Sequence, residues 1–346
     1  KLEIDGYVIP KNDEFFSEYS KVNKLEIISN FSGSAGFAII LKNKNYLFVD
    51  GRYTIQAKIE SGKNFQIIDY NKFFNCKIFK NLKLGLDPRL FTSNQINSFF
   101  SKNNIKLINQ NLIDELIKFK RKKIKPFYSL NEKITGESHK KKVGKLVNIL
   151  KKSKYDYVFI TAPENIAWLL NIRGYDNPNS PIPNSNLIIS KNKKKFLIAD
   201  KKKIKKIIKE KKIEIKEVVD PNNIENFFSN LKSGKVLIDN KTCSIYFENL
   251  LSQNFKIIKK DDPIYSLKSI KNKVEINNMI KSHVIDGSAL TKFIYWIKEI
   301  NKKRITEVDA QKKLENFRKQ NKTYLFPSFN TIAGSGKNGA IVHYRA

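Results

Sequence analysis

Two residues of this 346-residue chain stand in settings that could serve chemistry directly. Arg52 lies in Asp50-Gly51-Arg52-Tyr53, where a glycine turn follows an apolar, strand-like run. A guanidinium there can project towards a neighbouring surface. Its ordinary role would be to pair with Asp50 or to cap the next helix, and residue chemistry alone favours that role. His343 lies in the apolar run Ala340-Ile341-Val342-His343-Tyr344. A hydrogen-bonded core histidine is its ordinary reading; a neutral imidazole donating to a developing oxyanion is the functional one.

Other motifs are set aside on physical grounds. Gly334-Ser335-Gly336-Lys337-Asn338-Gly339 matches GxGxxG. A dinucleotide site needs a strand before those glycines and a helix N-terminus after them, to receive the pyrophosphate. A strand-like run follows instead, so a glycine turn between strands is expected. Lys337 is followed by Asn, which removes the Walker form as well. Ser32-Gly33-Ser34-Ala35-Gly36 lacks the GxSxG nucleophile pattern. His139, His283 and His343 are far apart, and HExxH is absent, so no metal site is expected from this chain. Glu14, Glu18 and Asp50 have no pairing spacing and read as solvated or structural. Cys76 and Cys243 are the two cysteines, without CxxC spacing, and are expected to be small thiols in a reducing, cytoplasmic setting.

The formal charge of +33 raises the question of nucleic acid. Only seven of the 66 basic residues are arginine, the side chain that reads bases and phosphates bidentately. Lysine runs such as Lys193-Lys194-Lys195 and Lys201-Lys202-Lys203 sit beside strand and helix patterns and read as solvated faces. Neither a nucleic-acid partner nor a membrane partner is expected, the latter because no apolar run approaches the length of a membrane span. The chain begins at Lys1 and stops after a strand-like run, so both ends are expected to be cut.

The elements that must position Arg52 and His343 show an internal repeat. Ala38 to Asp50 reads strand, Lys/Asn turn, strand, and recurs from Leu187 to Asp200. Gly6-Tyr7-Val8-Ile9 pairs with Asp156 to Ile160 in the same order. Asn30-Phe31-Ser32-Gly33 pairs with Asn171-Ile172-Arg173-Gly174, and Leu84 to Asp87 with Val236 to Asp239. Residues 1–128 are therefore expected to form one α/β domain and 129–265 a diverged copy, joined near Lys125-Pro126-Phe127. Helices are expected from Ser138 to Lys152 and from Lys201 to Lys211. Residues 266–346 begin a third unit: a helix from Lys273 to Ile300, a second behind the capping box Thr306/Asp309, then strands at Phe329–Ile332 and Ala340–Tyr344.

In these stretches the chain resembles the three-domain Xaa-Pro aminopeptidases of the pita-bread metallopeptidase family. The resemblance rests on Tyr7-Val8-Ile9-Pro10 with Ser17-Glu18-Tyr19, Phe31 to Gly36, Val49 to Ala57, Glu164 to Gly174, Thr306-Glu307 and Asn338 to Tyr344. It implies two creatinase N-terminal-like α/β domains ahead of an α+β pita-bread catalytic domain. It further implies a metal-dependent hydrolase that releases the N-terminal residue before proline, a bond whose tertiary amide has restricted geometry. Two divalent ions, manganese by family habit, would be held by residues beyond Tyr344, so this chain is expected to bind none and to be inactive by itself. On the resemblance, His343 contacts substrate near the reacting carbonyl and is catalytic, Arg52 contacts peptide, and the intact enzyme is a cytoplasmic homodimer. Rival expectations are a prolidase- or creatinase-type hydrolase, or a non-enzymatic pita-bread protein that binds peptides or histones.

Overall fold

The computed structural model describes residues 2–17, 19–20, 22–75, 79–117, 124–300 and 305–344. Glu18 and Cys76, both singled out above, lie outside them. The described residues form two compact units, one of Lys1–Leu130 with Ser138–Ile270, the other of Asn131–Glu137 with Lys271–Ala346.

The first unit holds two six-stranded sheets. The first is built from β1 (Gly6–Pro10), β2 (Gly36–Leu41), β3 (Asn45–Val49), β4 (Gln66–Asp69), β5 (Lys83–Leu86) and β6 (Asn104–Leu107). A two-stranded ribbon pairs β7 (Tyr128–Ser129) with β9 (Ile172–Arg173). The second sheet is built from β8 (Tyr157–Ile160), β10 (Asn186–Ser190), β11 (Lys195–Ile198), β12 (Val218–Val219), β13 (Gly234–Ile238) and β14 (Phe255–Lys259). The strand orders are β4-β3-β2-β1-β5-β6 and β12-β11-β10-β8-β13-β14. In each, one antiparallel strand, β2 or β10, lies between parallel neighbours.

The landmarks read from sequence occupy matching places in the two sheets. β2–β3 and β10–β11 are the repeated hairpins, paired Phe37↔Phe48 and Ile188↔Phe196. Asn30 and Asn171 both end helices in the left-handed region, at φ 62° and 54°, which asparagine tolerates better than most residues. Asp87 and Asp239 both accept the backbone N–H two residues on, at 2.9 Å.

Burial on both faces explains the nearly continuous apolar runs. Along β1, Tyr7 and Ile9 enter one core while Val8 enters the opposite one. In the second sheet, Val158 and Ile160 face one core and Phe159 the other. These alternations follow the two-residue period of a strand. Val143, Leu146, Val147 and Leu150 of helix His139–Lys152 meet the Val158 core at helical spacing.

In the second unit, helix Lys273–Glu299 begins at a capping box made by Asn272 and Glu275. Helix Glu307–Lys319 begins at the expected box of Thr306 and Asp309. Arg318 ties the two helices through a two-pronged bond to Asp286, at 2.6 and 3.1 Å. Asn272 also donates to the Thr135 carbonyl at 2.9 Å, which draws the short segment Asn131–Glu137 into this unit.

The expected strands at Phe329–Ile332 and Ala340–Tyr344 are not formed. Residues Gly336–Ala340 make a 3-10 turn, and His343 takes φ 56°. A strand is a pairing rather than a local preference, and among the described residues no segment of this unit offers these runs a ladder. The glycine turn between strands expected at Gly334–Gly339 is corrected with them. Among the described residues, no helix is long and apolar enough to cross a membrane.

Candidate functional site

Arg52 owes its position to the residues on either side. Asp50, at the end of β3, accepts the Arg52 backbone N–H at 3.0 Å and so starts a 3-10 turn over Gly51–Tyr53. Tyr53 turns inward, 2% exposed, packs edge-on against Phe31 and shares a 2.8 Å hydrogen bond with Ser34. With Tyr53 anchored, the side chain before it points out, and that of Arg52 is 43% exposed. Its guanidinium donates to both Asp50 oxygens, at 2.8 and 3.2 Å. The ordinary role considered for Arg52 is therefore occupied, and a half-exposed cation is presented on a fixed turn.

Helix Thr54–Ser61 holds the facing loop. Glu60 accepts the Ser32 N–H and hydroxyl, each at 2.8 Å, and Gln56 donates to both Ser32 and Glu60. Glu60 was not singled out from sequence, because a lone carboxylate on an amphipathic helix carries no signal until its loop is placed. In the second sheet Asp200 likewise accepts the Lys202 N–H, at 2.7 Å. The cation-after-aspartate arrangement is thus a property of the repeated fold, with arginine in one copy and lysine in the other.

His343 lies in the other unit. Its imidazole is exposed, which corrects the core-histidine reading: the run around it forms a turn and buries no face. The neighbouring anchor is Glu307, another residue that sequence left without a role. It accepts the Ser335 N–H and both of its oxygens accept from the Asn338 amide, which also donates to the Tyr344 hydroxyl at 3.0 Å. These bonds, that from Ser335 first, hold the Glu307 carboxyl below the usual carboxylate range. Glu307 thereby ties the glycine-rich turn and Tyr344 to the start of helix Glu307–Lys319.

Among the described residues no three histidine, cysteine, aspartate or glutamate side chains gather where they could hold a metal ion. The described residues do not fit a dinuclear centre. Cys243 is fully buried, and desolvation raises its thiol far above the ordinary range, as suits a packing residue rather than a nucleophile.

Residues 118–275 match the Creatinase/Prolidase N-terminal domain, and residues 277–346 match metallopeptidase family M24. Across 99% of its length the chain is 30% identical to a probable Xaa-Pro aminopeptidase P of Laccaria bicolor. The chain is a relative of the Xaa-Pro aminopeptidases P. Identity is also 30%, over 372 residues, with Xaa-Pro aminopeptidase 1 of Dictyostelium discoideum. The chain covers 57% and 59% of these two relatives, so it spans somewhat more than half their length. The fold matches that of an X-prolyl aminopeptidase from Caenorhabditis elegans, described as a cytosolic enzyme with a di-nuclear active site. There the TM-score is 0.88 at 24% identity, covering 99% of this chain and 60% of that one. The creatinase match falls on the second sheet. The first sheet, which carries Arg52, has the same strand order but lies before the match.

Proposed function

We propose that the intact protein is a metal-dependent aminopeptidase that releases the N-terminal residue from peptides with proline second. The observation that carries this reading is the likeness to Xaa-Pro aminopeptidases along 99% of the chain. On this reading the chain comprises two α/β domains, residues 1–128 and 129–265, with residues 266–346 belonging to the peptidase domain. Arg52 holds the peptide and His343 donates to the carbonyl under attack, so Arg52 supplies binding and His343 transition-state stabilisation. Two divalent ions, with manganese the first to test, complete the enzyme on this reading. A cytoplasmic homodimer is part of the same proposal, and the 346 residues alone would not turn over peptide.

The test uses intact protein stripped with chelator and reloaded with Mn2+, given Ala-Pro-Ala and Ala-Ala-Ala. Release of alanine from the first peptide only, dependent on metal, is expected. Equal release from both, or none from either at any divalent metal, overturns the reading. Size-exclusion with light scattering tests the dimer separately.

A further inference from the structure

Six aromatic side chains line one cavity beside the Asp50–Arg52 turn. β1, β3, β4, β5 and β6 run parallel, so their carboxyl ends share one edge of the first sheet. In open α/β sheets this edge is where ligands bind. A cavity of about 280 Å3 opens there, formed by residues just after β1, β3 and β4 and just before β2. Its floor is buried and aromatic: Phe37 and Phe91 are each 6% exposed and Phe100 2%. Phe99 and Tyr70 stand at the wall, 5.4 Å apart edge to face. Asp50, the residue that holds Arg52, forms part of the rim.

The lining is fixed rather than collapsible. Phe37 stacks on Phe48 at 4.6 Å and meets Phe100 edge-on at 6.2 Å. Gly36 lets β2 come close at the cavity edge, since a Cβ there would stand 2.6 Å from the Phe48 carbonyl oxygen. The volume falls just below the roughly 300–1,000 Å3 of drug-sized sites, room for one bulky side chain and not for a folded partner. Aromatic edges and faces receive another aromatic ring well.

We propose that this cavity is a specificity subsite of the first α/β domain, which receives an aromatic side chain of a peptide whose backbone passes over the Asp50–Arg52 turn. The proposal rests on the peptidase reading for the source of the peptide, and it adds a preference which that reading does not contain. Calorimetric titration of the 346-residue protein tests it with peptides of the form Ala-Pro-Alan, each carrying one phenylalanine at successive positions after proline. A parallel series has alanine in place of proline. One register is expected to bind at least tenfold more tightly than its all-alanine parent.

Two variants locate the effect. Ala35→Phe fills the cavity from its rim, and Phe99→Ala removes one wall; circular dichroism melting reports whether each stays folded. Both should abolish the aromatic preference. Arg52→Ala should weaken binding of every peptide and leave the preference in place. Phenylalanine peptides that all bind within twofold of their parents, or a preference that survives in both variants, would overturn the subsite. A preference present in the proline-free series supports the subsite even if hydrolysis of Ala-Pro-Ala by intact protein fails. Hydrolysis without any aromatic preference sinks the subsite and spares the peptidase reading.

Discussion

At the scale of single residues, Arg52 is determined by an inward tyrosine and an outward charge. An exposed ion pair such as Arg52–Asp50 contributes about 0–1 kcal/mol to stability, so Arg52 can be replaced with little effect on folding and a loss of turnover can be assigned to substrate contact. Arg52→Ala in the intact protein should lower peptide turnover about tenfold or more while shifting the melting temperature by no more than a degree or two; unchanged kinetics would remove its assigned role. Asp262 gives a prediction of a different kind. It is 4% exposed, and burial pushes its carboxyl up to about 6, although the Ile264 N–H and the Asn165 amide both donate to it. A carboxyl raised in the folded state binds its proton more tightly there than when unfolded. Its contribution to stability is therefore greatest below about pH 4 and is lost as pH rises towards 6. Comparing urea midpoints of wild type and Asp262→Asn from pH 4 to 7 should show wild type losing up to about 3 kcal/mol relative to the variant across that window. Parallel curves would mean that the carboxyl titrates normally.

At the scale of elements, the repeat allows one substitution to be made twice in the same backbone with different partners. Asn30 and Asn171 both cap a helix in the left-handed region. Asn30 is exposed, whereas the Asn171 side-chain oxygen accepts from the buried Lys142 ammonium at 2.8 Å. Asn30→Gly should be neutral within a few tenths of a kcal/mol, and Asn30→Val should cost about 1–2 kcal/mol. Asn171→Gly should cost about 2–3 kcal/mol, because it removes an acceptor from a cation that is 1% exposed and stacked 4.2 Å over Trp168. Equal costs for the two glycine variants, by urea denaturation, would show that Lys142 does not depend on Asn171. The contrast also marks what was legible beforehand. Hairpins and the Thr306–Asp309 box were readable because each is set by residues adjacent in sequence; Asn30 and Asn171 were matched as landmarks of the repeat, and their capping role came from the structure. Glu60, Glu307 and Lys142 were not, since each acts on a loop or carbonyl brought to it only by folding. The Ala340–Tyr344 run misled for the same reason in reverse, since a short apolar run specifies a strand only where a partner strand stands beside it.

At the scale of the molecule, charge and connection compete within the first unit. The two sheets are joined by the Ile245 N–H donating to the Phe91 carbonyl at 2.8 Å, by Ser93 donating to Glu248 at 2.8 Å, and by Arg89 stacked 4.1 Å over Tyr246. Such local bonds must hold against the mutual repulsion of a chain with formal charge +33. Helix Lys201–Lys209 adds to it by opening with three lysines at the positive end of its dipole, an arrangement costing about 0.3–1 kcal/mol per unpaired charge near the end. Opposing it are ion pairs such as Lys195–Glu217 at 2.6 Å, Lys203–Asp176 at 2.8 Å and Lys191–Asp156 at 2.7 Å. Added salt weakens both terms, but unequally: the Lys203–Asp176 and Lys195–Glu217 pairs are largely shielded from solvent, whereas most of the excess lysines are exposed and their repulsion is screened within a Debye length of about 10 Å at 0.1 M. Raising NaCl from 20 to 300 mM should therefore stabilise the protein, moving the melting temperature up by about 2–4 °C for each kcal/mol of repulsion relieved. Sulfate at equal ionic strength should do at least as well. A fall in melting temperature with salt would mean that the ion pairs outweigh the lysine excess, and that its stability rests on charge pairing rather than on the four aromatic and aliphatic cores.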